Sequence, residues 1–208
     1  MEGRTIENDP ILSLLYKSIK KLDFFIRNIT NYYKNSKIEK RIDEINFSSI
    51  VNETIYALPF VEETPVKEVD FDIQVDQKEP FFNDEFRVRV ILNNILSNAI
   101  KYQRQDNVEK KVSVLIQTRE DGAMIKIKDN GIGIPQDLVD KIFDMFFRGT
   151  SVSNGSGIGL YIVKEAVNKI AGDIKVISQE GEGTEFIISI PNIKVPQPEN
   201  EISMLKTH

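Results

Sequence analysis

Two pairs of short alternating segments, each joined by a turn of only a few residues, restrict this chain more than any other feature. Residues 112–118 and 123–128 flank Glu120-Asp121-Gly122, and residues 174–178 and 185–190 flank Glu180-Gly181-Glu182-Gly183. Apolar side chains at every second position read as half-buried strands. A turn this short returns the chain antiparallel, because a parallel partner needs a crossover of about a dozen residues. Phe71-Asp72-Ile73-Gln74-Val75 alternates in the same way. Helix-period segments lie among these strands: 46–58, capped by Asn46 or Ser48 and expected to stop before Pro59; 84–102; a short one near 138–143; and 157–171. Strands interleaved unevenly with helices, with two hairpins, predict an α+β fold, a two-layer α/β sandwich whose mixed, mostly antiparallel sheet carries helices on one face.

Ahead of this region, Leu12, Leu15, Ile19, Leu22, Ile26, Ile29 and Tyr33 recur at steps of three and four with no Gly or Pro among them. The spacing predicts one long amphipathic helix from Asp9-Pro10 to about Arg41, roughly 45 Å in length. That is too long for one small domain to cover, so its apolar stripe is expected to pack against another helix, with a homodimer as the simplest outcome. The expected organisation is a helical appendage over 1–43, a compact domain over 44–193 and a polar, Pro-containing flexible tail over 194–208.

Composition narrows the chemistry. Without Cys there are no disulfides, Zn–thiolate sites or thiol nucleophiles, which suits a reducing cytoplasmic compartment and leaves catalysis to oxygen and nitrogen groups. Lys and Arg total 27 against 32 Asp and Glu, and the net charge of -5 offers no general attraction to nucleic acid. No apolar run approaches the ~18 residues of a membrane helix, and the N-terminus lacks the order of a signal peptide.

On a wheel of about 100° per residue, Val88, Ile91, Leu92, Ile95 and Ala99 form one stripe of the helix over 84–102, and Asn94, Asn98 and Lys101 line up along its edge. Two amides and an ammonium in a row suit a hard cation and a phosphate, or they belong to a solvated face. Asp129-Asn130-Gly131-Ile132-Gly133-Ile134-Pro135 follows directly on a strand. Its glycines let a flat ligand approach the backbone, and Asp129 is placed to accept from an exocyclic amine; the alternative is an ordinary Asn-Gly turn. Gly155-Ser156-Gly157-Ile158-Gly159-Leu160 opens a helix whose N-terminal N–H groups suit an anion, yet it matches neither the P-loop nor the dinucleotide spacing. Between the two Gly loops lies Ile142-Phe143-Asp144-Met145-Phe146-Phe147-Arg148, an apolar and basic stretch that reads as a packed, mobile lid.

Taken in order, these parts resemble the ATP-binding catalytic domain of sensor histidine kinases, within the GHKL ATPase superfamily. Residues 91–103 hold the Asn-rich box, 129–135 and 155–167 the two glycine boxes, 142–150 the Phe box and 181–191 the last strand. The resemblance spans about residues 45–192. It implies ATP and Mg²⁺ as cofactors, with Asn98 on the metal, Asn94 in the same phosphate region, Lys101 on phosphate and Tyr102 on the nucleoside. Asp129 would read the adenine amine, helped by water and Thr184, with Gly131 and Gly133 shaping the base pocket. Gly155, Gly157, Ile158 and Gly159 would bring backbone N–H groups to the phosphates with Leu160 packed behind, under a lid containing Phe146, Phe147 and Arg148. Asn94 and Lys101 would be the catalytic pair. ATP-hydrolysing relatives such as gyrase are similar but carry at the Asn94 position a Glu that activates water, so Asn here favours phosphoryl transfer over hydrolysis.

The segment from Leu22 to Asn35 resembles the second helix of the dimerisation and phosphotransfer hairpin. The implied partners are the phosphoacceptor helix of a parent kinase and a response regulator receiver domain; the parent itself can be membrane-anchored. The only histidine, His208, lies in the polar tail, so the acceptor is expected outside this chain, which alone is expected not to autophosphorylate. A nucleotide-sensing module without transfer and a serine-directed kinase of the anti-sigma type are the alternatives.

Overall fold

The computed structural model describes residues 39–61, 68–104, 109–149 and 156–194, together with Asp9 and scattered positions from 11 to 37; the side chains of 59–61 stand outside that description. Ten elements position the site. They are β1 (Asp43–Glu44), α1 (Phe47–Val61), β2 (Val69–Asp76), β3 (Phe82–Asn83), α2 (Glu85–Lys101), β4 (Lys110–Thr118), β5 (Gly122–Asp129), α3 (Gly159–Lys169), β6 (Asp173–Gln179) and β7 (Gly183–Pro191).

The main sheet has the order β2-β4-β5-β7-β6. Only the β2–β4 pair is parallel; the two predicted hairpins and the β5–β7 pair are antiparallel. Strand parity decides which side chains enter the core. In β5 Ala123, Ile125 and Ile127 are buried, as are Val112, Val114 and Ile116 of β4 and Phe186, Ile188 and Ile190 of β7. The register stacks these into rows, with Ile125 opposite Ile116 and Ile188, and Ile127 opposite Val114 and Phe186. The helices cover this face: α2 packs between α1 and α3 and against β5, and α3 also meets β6.

Helix α2 starts where Asp84 accepts a hydrogen bond from the Arg87 backbone N–H at 2.9 Å, a side-chain cap for an otherwise unpaired donor. The other carboxylate oxygen of Asp84 takes the Arg87 guanidinium, and both side chains are almost completely buried. The expected one-sided stripe on α2 is too narrow. Val90, Leu96 and Ile100 are buried as well, because helices flank α2 on two sides while the sheet takes a third.

Other boundaries differ for local reasons. Asn46 does cap α1, accepting from Ser49 N–H at 2.9 Å, but the helix runs through Pro59 to Val61 instead of stopping ahead of it. A proline in the last turn forfeits only one intrahelical hydrogen bond. The expected helix near 138–143 is a single 3-10 turn, Val139–Lys141. The β1–β3 pair was not expected; two-residue strands carry no readable periodicity. Gln77 tethers this region, its amide donating to Ile45 O at 2.7 Å and accepting from Phe47 N–H at 3.1 Å. The predicted long N-terminal helix and the tail beyond residue 194 lie mostly or wholly outside the described residues.

Candidate active site

At one end of the sheet the inward-facing rows turn polar. Asp129 has the parity of Ile125 and Ile127, Thr184 that of Phe186 and Ile188, and Ser178 that of Ile174 and Val176. The register sets Asp129 opposite Thr184, and Thr184 opposite Ser178. A carboxylate and two hydroxyls therefore stand in a row where the preceding row is Ile127, Phe186 and Val176.

Asp129 and Thr184 of this row line a cavity of about 120 Å³, partly open to solvent. Among the predicted site residues, Asn98, Tyr102, Asp129, Gly133, Arg148, Gly157, Leu160 and Thr184 line it. Apolar walls come from Ile134, Ile142, Phe147 and Phe186. A mostly apolar cleft with a few convergent polar groups suits a flat heteroaromatic ligand with a charged tail.

Burial pushes the Asp129 carboxyl up to about 6, against the opposing pull of hydrogen bonds from the Gly131 and Thr184 backbone N–H groups. The Gly131 N–H reaches Asp129 Oδ1 at 2.8 Å. Asn130, next in sequence, turns away: its amide oxygen accepts from Lys111 N–H and its amide nitrogen donates to Glu109 O, both at 2.8 Å, pinning the loop to the start of β4.

The glycine loop is threaded between two other segments. Ile132 N–H donates to Tyr102 O at 2.9 Å, and Ile132 O accepts from Gly181 N–H at 2.8 Å. Gly133 has φ +67°, and a Cβ there would collide with the Gln179 carbonyl, so both its conformation and its surroundings demand glycine. Arg104, just past the end of α2, holds the same turn by donating to Gly181 O at 2.5 Å.

At the opposite wall, the Asn94 amide nitrogen donates to Val90 O at 2.8 Å, which directs Oδ1 toward the first turn of α3. A Cβ on Gly159 would lie 2.9 Å from that oxygen. Asn94 and the start of α3 are thus neighbours, although neither Asn94 nor Gly159 lines the cavity directly. Lys101 is the last residue of α2, its Nζ 5.5 Å from the ring centroid of the cavity-lining Tyr102. Ile158 is wholly buried, so its side chain belongs to the core and only its backbone can serve a ligand. Of the two lid phenylalanines, Phe147 lines the cavity, while Phe146 is 58% exposed with φ 68° and its N–H donates to Gly157 O at 2.9 Å. Gly155 lies outside the described residues.

Sequence reasoning missed Ser178, Ile134 and Phe186. Each was legible only as a strand or loop residue, but parity would have put Ser178 on the face of Ile174 and Val176. No group of three His, Cys, Asp or Glu able to cage a metal occurs among the described residues. Asn98 offers one neutral amide oxygen at the cavity, which fits an ion such as Mg²⁺ that keeps several waters and takes its anionic ligands from phosphates.

The family described as histidine kinase-, DNA gyrase B-, and HSP90-like ATPase matches residues 83–194. The chain belongs to this ATPase family. Within the family its likeness is to sensor histidine kinases. The sensor protein kinase WalK of Staphylococcus aureus is 34% identical over 178 residues, covering 80% of this chain and 41% of that one. This member of the ATPase family therefore spans less than half the length of that curated relative. Among solved structures, the catalytic domain of histidine kinase ThkA is 25% identical with a TM-score of 0.60, covering 73% of this chain and 96% of that chain. Full-length ShkA in complex with AMPPNP shares the fold, with a TM-score of 0.72 at 21% identity over 94% of this chain and 41% of that one. The predicted α+β sandwich is borne out, and the chain carries an ATPase domain of the sensor histidine kinase type.

Proposed function

We propose that this chain binds ATP·Mg²⁺ and transfers the γ-phosphoryl group to a histidine outside its own sequence, for relay to a response regulator. The observation that carries the reading is that one cavity is lined together by the paired Asp129 and Thr184, by Asn98 of α2 and by Gly157 ahead of α3. Asp129 accepts from the adenine amine, and Tyr102 lies along the nucleoside. The triphosphate then runs toward Asn98, Lys101 and the first turn of α3, where N–H groups favour an anion. Asn98 holds the metal, which when bound neutralises phosphate charge. Arg148 and Phe147 close over the nucleotide.

Transfer forms a phosphorus–nitrogen bond to the acceptor imidazole as the bridging oxygen leaves with ADP. Positioning and charge neutralisation supply most of the acceleration. The Asn94 amide cannot take up a proton at neutral pH, so water is not activated beside the γ-phosphate and a stronger nucleophile is favoured. In this reading 44–193 is the catalytic domain, 1–43 part of the dimerising phosphotransfer hairpin and 194–208 a tail.

Incubation with labelled ATP tests the reading. The chain alone should bind ATP and yield no acid-labile phosphate on itself, and adding the acceptor helix of a cognate kinase should restore labelling of that helix. Binding without transfer to any acceptor helix would leave a nucleotide-sensing module instead.

A further inference from the structure

Ser178 makes three hydrogen bonds with one oxygen. It accepts from Ile134 N–H at 2.8 Å, lies 2.9 Å from Gly183 O and lies 2.9 Å from Thr184 Oγ1. A hydroxyl has one proton and two lone pairs. A carbonyl oxygen cannot donate, so the Ser178 proton belongs to Gly183 O, and the N–H of Ile134 occupies one lone pair. The remaining lone pair faces Thr184, whose own proton must point back to Ser178. The bookkeeping closes with no freedom left over.

We propose that Ser178 is a specificity-determining residue, because it consumes the Thr184 proton and leaves the Thr184 hydroxyl an acceptor only toward the cavity. Thr184 then stands beside the ionised Asp129 carboxylate, its partner across β5 and β7, and this end of the cavity presents acceptors with no side-chain donor between them. Such a pair receives an exocyclic amine, directly or through a water, and repels a carbonyl at the same ring position. Selection of a 6-amino over a 6-oxo purine is thus written into a hydroxyl that does not itself line the cavity. Ser178 is held for this by backbone on both sides: the glycine loop through Ile134 and the turn before β7 through Gly183. The inference rests on the nucleotide reading given above.

The test compares ATP with inosine triphosphate, which differs at the 6-position in carrying oxygen, by calorimetric titration of the full chain with Mg²⁺. Wild type should prefer ATP, and Ser178→Ala, which frees the Thr184 proton to donate, should shrink the ratio of the two affinities about tenfold. A role confined to holding the loop would weaken both nucleotides equally, and an unchanged ratio in a folded Ser178→Ala protein overturns the proposal. Thr184→Val supplies a second reading if Ser178→Ala fails to fold. Loss of ATP affinity alone supports an acceptor-only hydroxyl, whereas equal loss for both nucleotides shows that Thr184 does not discriminate between them, greater loss for inosine triphosphate shows that it donates, and either result overturns the proposal. Wild type that binds both nucleotides equally defeats the specificity argument and leaves nucleotide binding standing. Wild type that binds neither defeats the nucleotide reading and this proposal together.

Discussion

Asp129 stands at an inward strand position whose counterparts on β5 are apolar, and its burial has opposite consequences for stability and for binding. Desolvation raises its folded value to about 6, so between the ordinary carboxylate value and 6 the folded protein holds a proton that the unfolded chain releases. This contribution to stability is complete at acid pH and is lost as pH rises through about 6. Asp129→Asn keeps an oxygen for the Gly131 N–H and removes the charge. It should stabilise the ligand-free protein by about 1–3 kcal/mol at pH 8, with the gain vanishing near pH 4, as measured by thermal melts across that range. Binding of an amine donor needs the ionised form. Calorimetric titrations of wild type should therefore show ATP affinity falling by up to about tenfold per unit below pH 6 and flat above pH 7, a profile absent from Asp129→Asn.

Gly159 makes a complementary case at the same scale. A methyl group there would meet only the end of the Asn94 side chain, not backbone, so Gly159→Ala should cost little stability, below about 1 kcal/mol by chemical denaturation. It should displace the Asn94 amide from the start of α3 and lower the phosphoryl-transfer rate at saturating ATP by about tenfold or more, read in an assay supplied with an acceptor helix.

At the scale of elements, α2 carries Asn94, Asn98 and Lys101 on a helix whose first turn is closed by a buried ion pair. The two partners are not equivalent. Arg87→Met leaves Asp84 still capping the Arg87 backbone N–H position, whereas Asp84→Ala removes the cap and the carboxylate that neutralises a buried guanidinium. Urea denaturation should show Asp84→Ala costing about 3–5 kcal/mol and Arg87→Met less, since the buried carboxylate left by Arg87→Met still accepts from a backbone N–H, whereas Asp84→Ala removes the counter-charge of a buried guanidinium and the helix cap together. This asymmetry was invisible in the sequence, which does not show that Asp84 and Arg87 are buried against each other. What was legible follows from periodicity: the hairpins, α2, α3 and the face each strand buries. What was not legible depended on neighbours far along the chain, such as Asn83 donating to Pro191 O and the Asn192 amide oxygen receiving Phe82 N–H. The motif residues announced their chemistry by type and order. Ser178 did not, because a serine in a short strand carries no signal until its partners at 134 and 184 are brought beside it.

At the scale of the whole molecule, the described apolar side chains near the N-terminus are exposed: Leu15 by 55%, Ile19 by 57%, Leu22 by 59% and Ile26 by 53%. No helix among the described residues is long and apolar enough to cross a membrane. Exposed apolar side chains of this kind suit a protein partner. If it joins two copies, Ile19→Glu with Ile26→Glu should convert a dimer to monomer in sedimentation without moving the ATP affinity, since both positions are far in sequence from every cavity residue. Nucleotide should in turn stabilise the chain, raising its unfolding free energy by about 2.7 kcal/mol at a hundredfold excess over its dissociation constant.

The polar row at the end of the sheet also constrains how such a chain can change over time. Because side chains alternate with a period of two, deleting a single residue inside β5 would turn Asp129 outward and carry Ile125 and Ile127 out with it. Deleting two would keep the hydrophobic face intact but withdraw the carboxylate by about 7 Å, out of line with Thr184. Length variation is consequently confined to the loops, and recognition is inherited along with the ability to fold.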